Sequence, residues 1–127
     1  MKRIGFITKN KVLAQSLASF IKGNPDLPLE PFVILNLCQA AMDAEILRIN
    51  VAVIEVFAGR PEETETILTL CAQLRLKVPD CQILLLVPQG NKEGREMAMK
   101  AVNSKAVDDY VFLDTSLDYL FAKLLVM

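Results

Sequence analysis

Apolar residues recur along this chain in two alternating patterns: short continuous runs, and longer segments in which they are three or four positions apart. A short apolar run bounded by turn residues is typical of a buried strand, and the wider spacing is typical of a helix with one apolar face. Runs of the first kind predict five strands, over residues 3–8, 29–35, 51–57, 82–87 and 109–113.

Each predicted strand is followed by a segment with helical spacing, and residues that commonly begin or end helices stand at its borders. Asn10, Asn36 and Ser116 are placed to cap the first, second and last helices. Pro61 opens the third helix, since proline fits a first turn, and Gly23 is placed to stop the first. The fourth helix is predicted over residues 94–104. The apolar faces expected to pack on a sheet are Leu13, Leu17, Phe20 and Ile21; Met42, Ile46 and Ile49; Ile67, Leu70, Cys71 and Leu74; Met97, Ala101 and Val102; and Leu117, Leu120, Phe121, Leu124 and Leu125.

The regular alternation of strand and helix predicts an α/β fold with one domain, residues 1–127. Near-continuous apolar strands require a parallel sheet covered by helices on both faces. We therefore expect a three-layer, doubly wound, five-stranded sheet of the flavodoxin-like (βα)5 type, with strand order 2-1-3-4-5. Pro31 lies in the second strand, and proline cannot donate to a ladder, so this strand is expected at the sheet edge.

The composition narrows the chemistry more than it narrows the fold. None of the 127 residues is histidine, which excludes Ser–His–Asp and Cys–His nucleophiles and the usual imidazole metal sites. The net charge of -1 argues against a nucleic-acid partner, which needs a basic face. Any acid–base chemistry near neutral pH would therefore need Asp, Glu, Lys or Cys side chains with perturbed pKa values.

The cysteines and the apolar runs bear on the compartment. Cys38, Cys71 and Cys81 form no CxxC pair, and such scattered thiols are typical of reduced cysteines in a cytoplasmic protein. The longest apolar run, Ile83 to Val87, is too short to cross a membrane, and the first residues carry no secretory signal pattern. A cytoplasmic location without membrane contact is expected.

In a sheet of this order, ligands bind beyond the carboxyl ends of the strands, near the switch point between strands one and three. Thr8 and Lys9 follow the first strand and Glu55 lies near the end of the third. Leu86 and Leu113 lie at the ends of strands four and five. One interpretation is a flavodoxin-like protein that binds a small molecule or nucleotide in this crevice, although the apolar ends of strands four and five favour a filled site.

Two segments carry a resemblance to a known family. Residues 50–55, Asn-Val-Ala-Val-Ile-Glu, are similar to the Asp-Leu-Val-Leu-Leu-Asp run that ends in a phosphoacceptor aspartate. Residues 106–111, Ala-Val-Asp-Asp-Tyr-Val, resemble the Gly-Ala-Asp-Asp-Tyr-Leu approach to a fifth strand. Over its whole length the chain resembles the CheY-like receiver domain of response regulators, which act in bacterial two-component signal transduction and phosphorelays.

The departures from that family are as informative as the resemblance. The phosphoacceptor position is Glu55 in place of aspartate, and Thr8 and Lys9 stand where the family has the acidic pair that holds magnesium. Leu86, or its neighbour Val87, replaces the phosphoryl-binding hydroxyl, and Leu113 replaces the lysine that ends strand five. The resemblance therefore implies a degenerate pseudo-receiver, a non-catalytic signalling module that acts through protein–protein contacts. We expect it not to be an enzyme and to hold neither a metal nor another cofactor.

Glu55 allows three interpretations. The first is that its carboxylate mimics the negative charge of a phosphorylated aspartate. The second is that glutamate is a replacement without functional effect, at the water-facing end of a strand that tolerates any polar group. The third interpretation is an ion pair between Lys9 and Glu55 on adjacent strands, with the lysine taking the place of the metal.

The last helix is apolar on more than one face, which predicts a contact surface besides the one that packs on the sheet. The alternative is that the end of this helix is frayed and that its surplus apolar residues form no contact surface. The resemblance implies dimerisation or target binding through helix four, strand five and helix five, with a histidine kinase, a regulator or a second copy as partner. The candidate interface residues are Tyr110, Leu117, Tyr119, Leu120, Phe121 and Leu124.

Overall fold

Five parallel strands form one sheet in the order β2-β1-β3-β4-β5 in the computed structural model, which describes residues 1–57 and 61–127. The strand order and the parallel pairing are those that the sequence predicts. The second strand, with Pro31, lies at the edge as expected. The strands are β1 (Lys2–Ile7), β2 (Leu29–Ile34), β3 (Val51–Glu55), β4 (Gln82–Val87) and β5 (Asp109–Phe112).

Helices follow all five strands. They are α1 (Lys11–Lys22), α2 (Ala40–Leu47), α3 (Pro61–Lys77), α4 (Lys92–Asn103) and α5 (Leu117–Val126). The side chain of Asn10 accepts a hydrogen bond from the Leu13 N–H, and that of Ser116 accepts one from the Tyr119 N–H, so both predicted caps are confirmed. Within the described ranges, no helix combines the length and apolar character needed to span a bilayer.

Two apolar cores lie on opposite faces of the sheet. Buried residues of α1 and α5 pack on one face, where the rings of Phe20 and Phe121 stack with centroids 4.8 Å apart. Buried residues of α2, α3 and α4 pack on the other face. The predicted stripe of α3, Ile67, Leu70, Cys71 and Leu74, lies fully in this second core. The sheet therefore has helices on both sides, in three layers.

The prediction for the second helix is wrong in two respects. Met42 and Ile46 are 52% and 69% exposed, and the buried face of α2 consists of alanines at positions 40, 41 and 44. Alanine lets a helix lie close to the sheet, so the larger side chains turn to solvent. The side chain of Asn36 caps a short 3-10 turn, Leu37–Gln39, ahead of α2, and not α2 itself.

The end of the first helix also differs from the prediction. A glycine after a helix commonly adopts the left-handed conformation. Gly23 is instead right-handed, with φ -79°, and its N–H donates to the Ser19 carbonyl. It caps the helix without using the conformational freedom that only glycine has.

Polar side chains tie the amino-terminal edge of the sheet to the helices around it. The ammonium of Lys2 donates to the backbone oxygens of Leu124 (2.9 Å), Leu125 (3.0 Å) and Met127 at the end of α5. On the other side, the Asp108 carboxylate accepts from the Ile83 N–H (2.7 Å) and from the Arg75 guanidinium (3.1 Å). These contacts join the ends of the two helices to the strands beside them.

Candidate functional site

The carboxyl ends of β1 and β3 bring Thr8 beside Glu55. In the parallel pairing of these strands Ile7 lies opposite Ile54, so the next residue of each chain segment continues the same register. Thr8 is only 3% exposed, whereas Glu55 is half-buried. The two polar side chains therefore meet at the switch point of the sheet, where the fold is expected to bind ligands.

A short chain of hydrogen bonds occupies this place. The Asn10 N–H donates to the Thr8 Oγ1 at 2.9 Å, and the Thr8 hydroxyl donates to the Glu55 Oε1. A hydroxyl has a single proton to give, so Thr8 must receive from the backbone and donate to the carboxylate. The direction of both bonds is thus fixed, and the Glu55 carboxylate has an internal donor.

The predicted ion pair between Lys9 and Glu55 is wrong for this structure. The ion pairs found within residues 1–57 and 61–127 do not include Lys9 or Glu55. The Lys9 ammonium lies 4.8 Å from the centroid of the Phe57 ring, at cation–π distance. Thr8, and not Lys9, therefore contacts the Glu55 carboxylate.

Leu86 and Leu113 occupy the positions at which the receiver family has the phosphoryl-binding hydroxyl and the lysine. Leu86 pairs with Glu55 across β3 and β4, and its side chain is buried in the core beneath α1 and α5. Leu113 is half-buried against the same core, and its N–H donates to the Val87 carbonyl at 2.7 Å. Both side chains contribute packing at this edge and have no polar group to offer a ligand.

Five hollows on the described surface lie elsewhere, and their linings include neither Thr8, Lys9 nor Glu55. The crevice interpretation, with a small molecule between β1 and β3, therefore gains no support from these hollows. Among the described residues, no three acidic or cysteine side chains are grouped so as to hold a metal ion.

The candidate interface of the last helix divides into two sets. Leu120, Phe121 and Leu124 are buried in the core and are not available as a surface, because they form the face of α5 that packs on the sheet. Leu117 and Tyr119 are 43% and 53% exposed. The surface predicted from the sequence is therefore narrower than expected.

Beside Tyr119, β5 and α5 enclose a shallow hollow of about 410 Å3. Tyr110, half-buried, lines it with Phe112, and their rings meet edge to face at 6.0 Å. The Lys123 ammonium lies 2.5 Å from the Asp109 carboxylate. The hydrogen bond to Asp109 raises the pKa of Lys123 above its ordinary value. Lys123 and Asp109 were not among the predicted site residues.

The cysteines are the remaining nucleophiles. Cys71 and Cys81 are buried, and Cys38 is exposed. Burial raises the pKa of the Cys71 thiol to about 12 and that of Cys81 to about 11. The two buried thiols are therefore protonated at neutral pH, and a protonated thiol is a poor nucleophile.

Comparison with known proteins finds similarity in three-dimensional structure but not in sequence. No protein-family model matches the sequence, and no curated protein matches it. A two-component response regulator of Clostridium difficile is 21% identical, with a TM-score of 0.75 over 99% of this chain and 94% of that one.

Two further solved structures agree. A CheY-like response regulator receiver domain protein of Methanospirillum hungatei is 14% identical, with a TM-score of 0.73 over 99% and 92% of the two chains. The response regulator TrrA of Thermotoga maritima, in complex with Mg2+ and BeF, is 19% identical, with a TM-score of 0.72 over 99% and 98%. The chain therefore has the fold of CheY-like response-regulator receiver domains.

Proposed function

We propose that this chain is a degenerate receiver, a signalling module that acts by contact with other proteins and does not carry out phosphoryl transfer. The observation that carries this proposal is the hydrogen bond from the Thr8 hydroxyl to the Glu55 carboxylate. It places an uncharged donor where a receiver would hold a metal ion beside its phosphoacceptor.

The charges at this edge support the proposal. Magnesium takes oxygen ligands in octahedral geometry, usually from carboxylates and carbonyls. The carboxylate that Thr8 contacts is that of Glu55, and the next residue, Lys9, brings a positive charge to the same loop. A divalent cation would gain one anionic ligand here and meet a like charge nearby.

The packing at strands four and five supports it as well. Transfer of a phosphoryl group requires positive charge and hydrogen-bond donors around its equatorial oxygens. Leu86 and Leu113 supply neither, since both are engaged in the core. Five positions, Thr8, Lys9, Glu55, Leu86 and Leu113, therefore differ from the receiver pattern together, so no single substitution would restore the reaction.

The contact surface that we propose comprises α4, β5 and α5. Leu117 and Tyr119 are the exposed apolar side chains of α5 that the sequence predicts for it, and the adjoining hollow is lined by Tyr110 and Phe112. A histidine kinase, a regulator or a second copy of the chain is the kind of partner that we expect.

The phosphorylation test uses acetyl phosphate with magnesium and intact-protein mass spectrometry. We expect no mass gain for the wild-type chain. A variant with Thr8→Asp, Lys9→Asp and Glu55→Asp serves to check how much of the chemistry returns when the acids are restored. Magnesium-dependent labelling of the wild type that disappears in Glu55→Gln would contradict the proposal.

The contact test uses sedimentation velocity over a range of concentrations. We expect association that Tyr119→Asp abolishes, because the substitution removes the exposed ring and puts a hydrated carboxylate in its place. Met42→Asp is the matched control, since Met42 is 52% exposed on α2, which packs on the opposite face of the sheet from α5. A monomer at every concentration would exclude a second copy as the partner.

A further inference from the structure

A groove of about 620 Å3 lies between α3 and α4, on the face of the sheet opposite α5. Met97 and Ala101 of α4 form its floor and belong to the core. Leu68 of α3 lines its wall and is 39% exposed, although Ile67 and Leu70 on the same helix are buried. The groove thus presents apolar surface to solvent that neither helix covers.

Acidic side chains border this apolar floor. Glu65 of α3 and Glu93 and Glu96 of α4 line the groove together with Lys100, and all four are exposed. The ion pairs found within the described ranges include none of these four residues. Three carboxylates against one ammonium leave a negative rim whose charges have no intramolecular ion pair there.

We propose that this groove binds an amphipathic helix of a partner protein, with apolar side chains toward Leu68 and Met97 and with lysines or arginines along its flanks. Such a helix would cover the apolar floor and pair its flanking cations with Glu65, Glu93 and Glu96. The apolar contacts would cover a floor that neither helix covers, and the cations would pair with carboxylates that have no ion pair among the described residues.

The shape of the groove favours a helix over an extended peptide. Glu93, Met97 and Lys100 are spaced by three or four positions and therefore share one face of α4, and Ser104 caps the end of this helix. From Glu93 to Lys100 the helix rises by about 11 Å, which is about two helical turns. A groove of that length between two helices suits a third helix that presents side chains with the same spacing.

This inference rests on the proposed contact function in one respect only, namely that the chain acts by binding proteins. It uses the side of α4 that faces α3, opposite α5, and it shares no residue with the Thr8–Glu55 site or with the pocket beside Tyr119. Loss of the α5 contact in sedimentation and loss of peptide binding at the groove are therefore separate results.

The test uses two synthetic amphipathic peptides with the same leucine stripe, one flanked by lysines and the other by glutamates. Fluorescence anisotropy gives the affinity of each, and amide chemical shifts of the labelled protein locate the site. We expect the lysine peptide to bind at least about tenfold more tightly, with shifts centred on Leu68, Glu96 and Met97. We also expect its affinity to fall as the salt concentration rises.

Matched variants separate the two halves of the contact. Leu68→Asp should weaken binding of the lysine peptide by about tenfold or more, because it charges the apolar wall. Leu76→Asp is its control, since Leu76 is on the same helix, 84% exposed and outside the groove. Glu96→Lys should weaken binding about fivefold, while Glu45→Lys on α2 should not change it.

Three results would overturn the inference. The first is equal binding of the lysine and glutamate peptides, which would mean that the acidic rim selects nothing. The second is a set of shifts that lies on another face. The third is self-association of the free protein through this groove, detected as concentration-dependent shifts at Leu68 and Met97, which would make a second copy the occupant.

Discussion

Thr8 directly follows β1, Glu55 ends the neighbouring strand β3, and a hydrogen bond from the threonine hydroxyl to the glutamate carboxylate joins them. The same hydroxyl accepts from the Asn10 N–H, at the residue that caps α1. The bond therefore connects the end of β3 to the start of the first helix. It makes Glu55 part of the local structure and not only a charge at the surface.

The first prediction concerns the removal of this hydroxyl. Thr8→Val keeps the shape of the buried side chain but leaves the Asn10 N–H and one Glu55 oxygen without their partner. Unsatisfied groups of this kind cost about 1–3 kcal/mol, so we expect the free energy of unfolding in urea to fall by about 1–2 kcal/mol. Glu55→Gln retains an acceptor for Thr8 and should cost less than Thr8→Val.

A matched control for that prediction is Thr69→Val on α3, where the threonine is exposed. Its free energy of unfolding should stay within about 0.5 kcal/mol of the wild type. If Thr8→Val and Thr69→Val behave alike, the hydrogen bond to Glu55 does not contribute to stability.

The second prediction concerns Asp108, whose carboxylate serves both the Ile83 N–H and the Arg75 guanidinium. Asp108→Ala should reduce the free energy of unfolding by about 1–3 kcal/mol, because the N–H at the start of a buried strand loses its acceptor. Asp108→Asn keeps an acceptor and should cost about 1 kcal/mol or less. Asp80→Ala, at an exposed turn, is the control and should leave the unfolding midpoint nearly unchanged.

The third prediction concerns pH. Because its hydrogen bond to Asp109 raises the pKa of Lys123 above 10.5, the pair stabilises the fold fully below that pH and ceases to do so as the lysine loses its proton. Asp109→Asn should therefore lower the free energy of unfolding by about 0.5 kcal/mol near neutral pH. The difference from the wild type should shrink at strongly alkaline pH.

Asp118→Asn is the comparison for this profile, since Asp118 is exposed in the first turn of α5. Its difference from the wild type should stay constant through the alkaline range in which Lys123 titrates. A difference for Asp109→Asn that is equally constant would show that the pair does not raise the lysine pKa.

The fourth prediction concerns thiol reactivity. The buried Cys71 and Cys81 have pKa values raised to about 12 and 11, whereas Cys38 is exposed. At neutral pH an aromatic disulfide reagent should modify one thiol in the native protein and three after denaturation. Cys38→Ser should abolish the rapid native reaction. A second thiol that reacts as quickly would show that the core beneath α2, α3 and α4, which holds Cys71 and Cys81, opens in the native protein.

Much of the architecture could be predicted because its signals are local. The apolar run of β4 has the same limits in the sequence and in the structure, Gln82–Val87. The stripe of α3 is buried as its spacing predicts. The face of α2 was predicted wrongly, since apolar spacing gives weight to Met42 and Ile46, whereas the buried face is made of alanines.

The site was harder to predict because it depends on register. The sequence places Thr8, Lys9 and Glu55 at one edge, but only the pairing of Ile7 with Ile54 decides which side chain faces the carboxylate. Charge alone favoured Lys9. The Arg75–Asp108 contact depends on the tertiary position of α3 and has no signal in the sequence.

Lys2, the first residue of β1, bears on where the protein can be labelled or immobilised. Because Lys2 binds the backbone at the end of α5, residues 2 and 127 lie side by side at the amino-terminal edge of the sheet. Glu55 lies at the opposite edge. A fluorophore, a fused protein or a sensor surface linked near residue 2 or near residue 127 would leave the Thr8–Glu55 side facing the solution. Both attachment points therefore keep that site accessible to a partner.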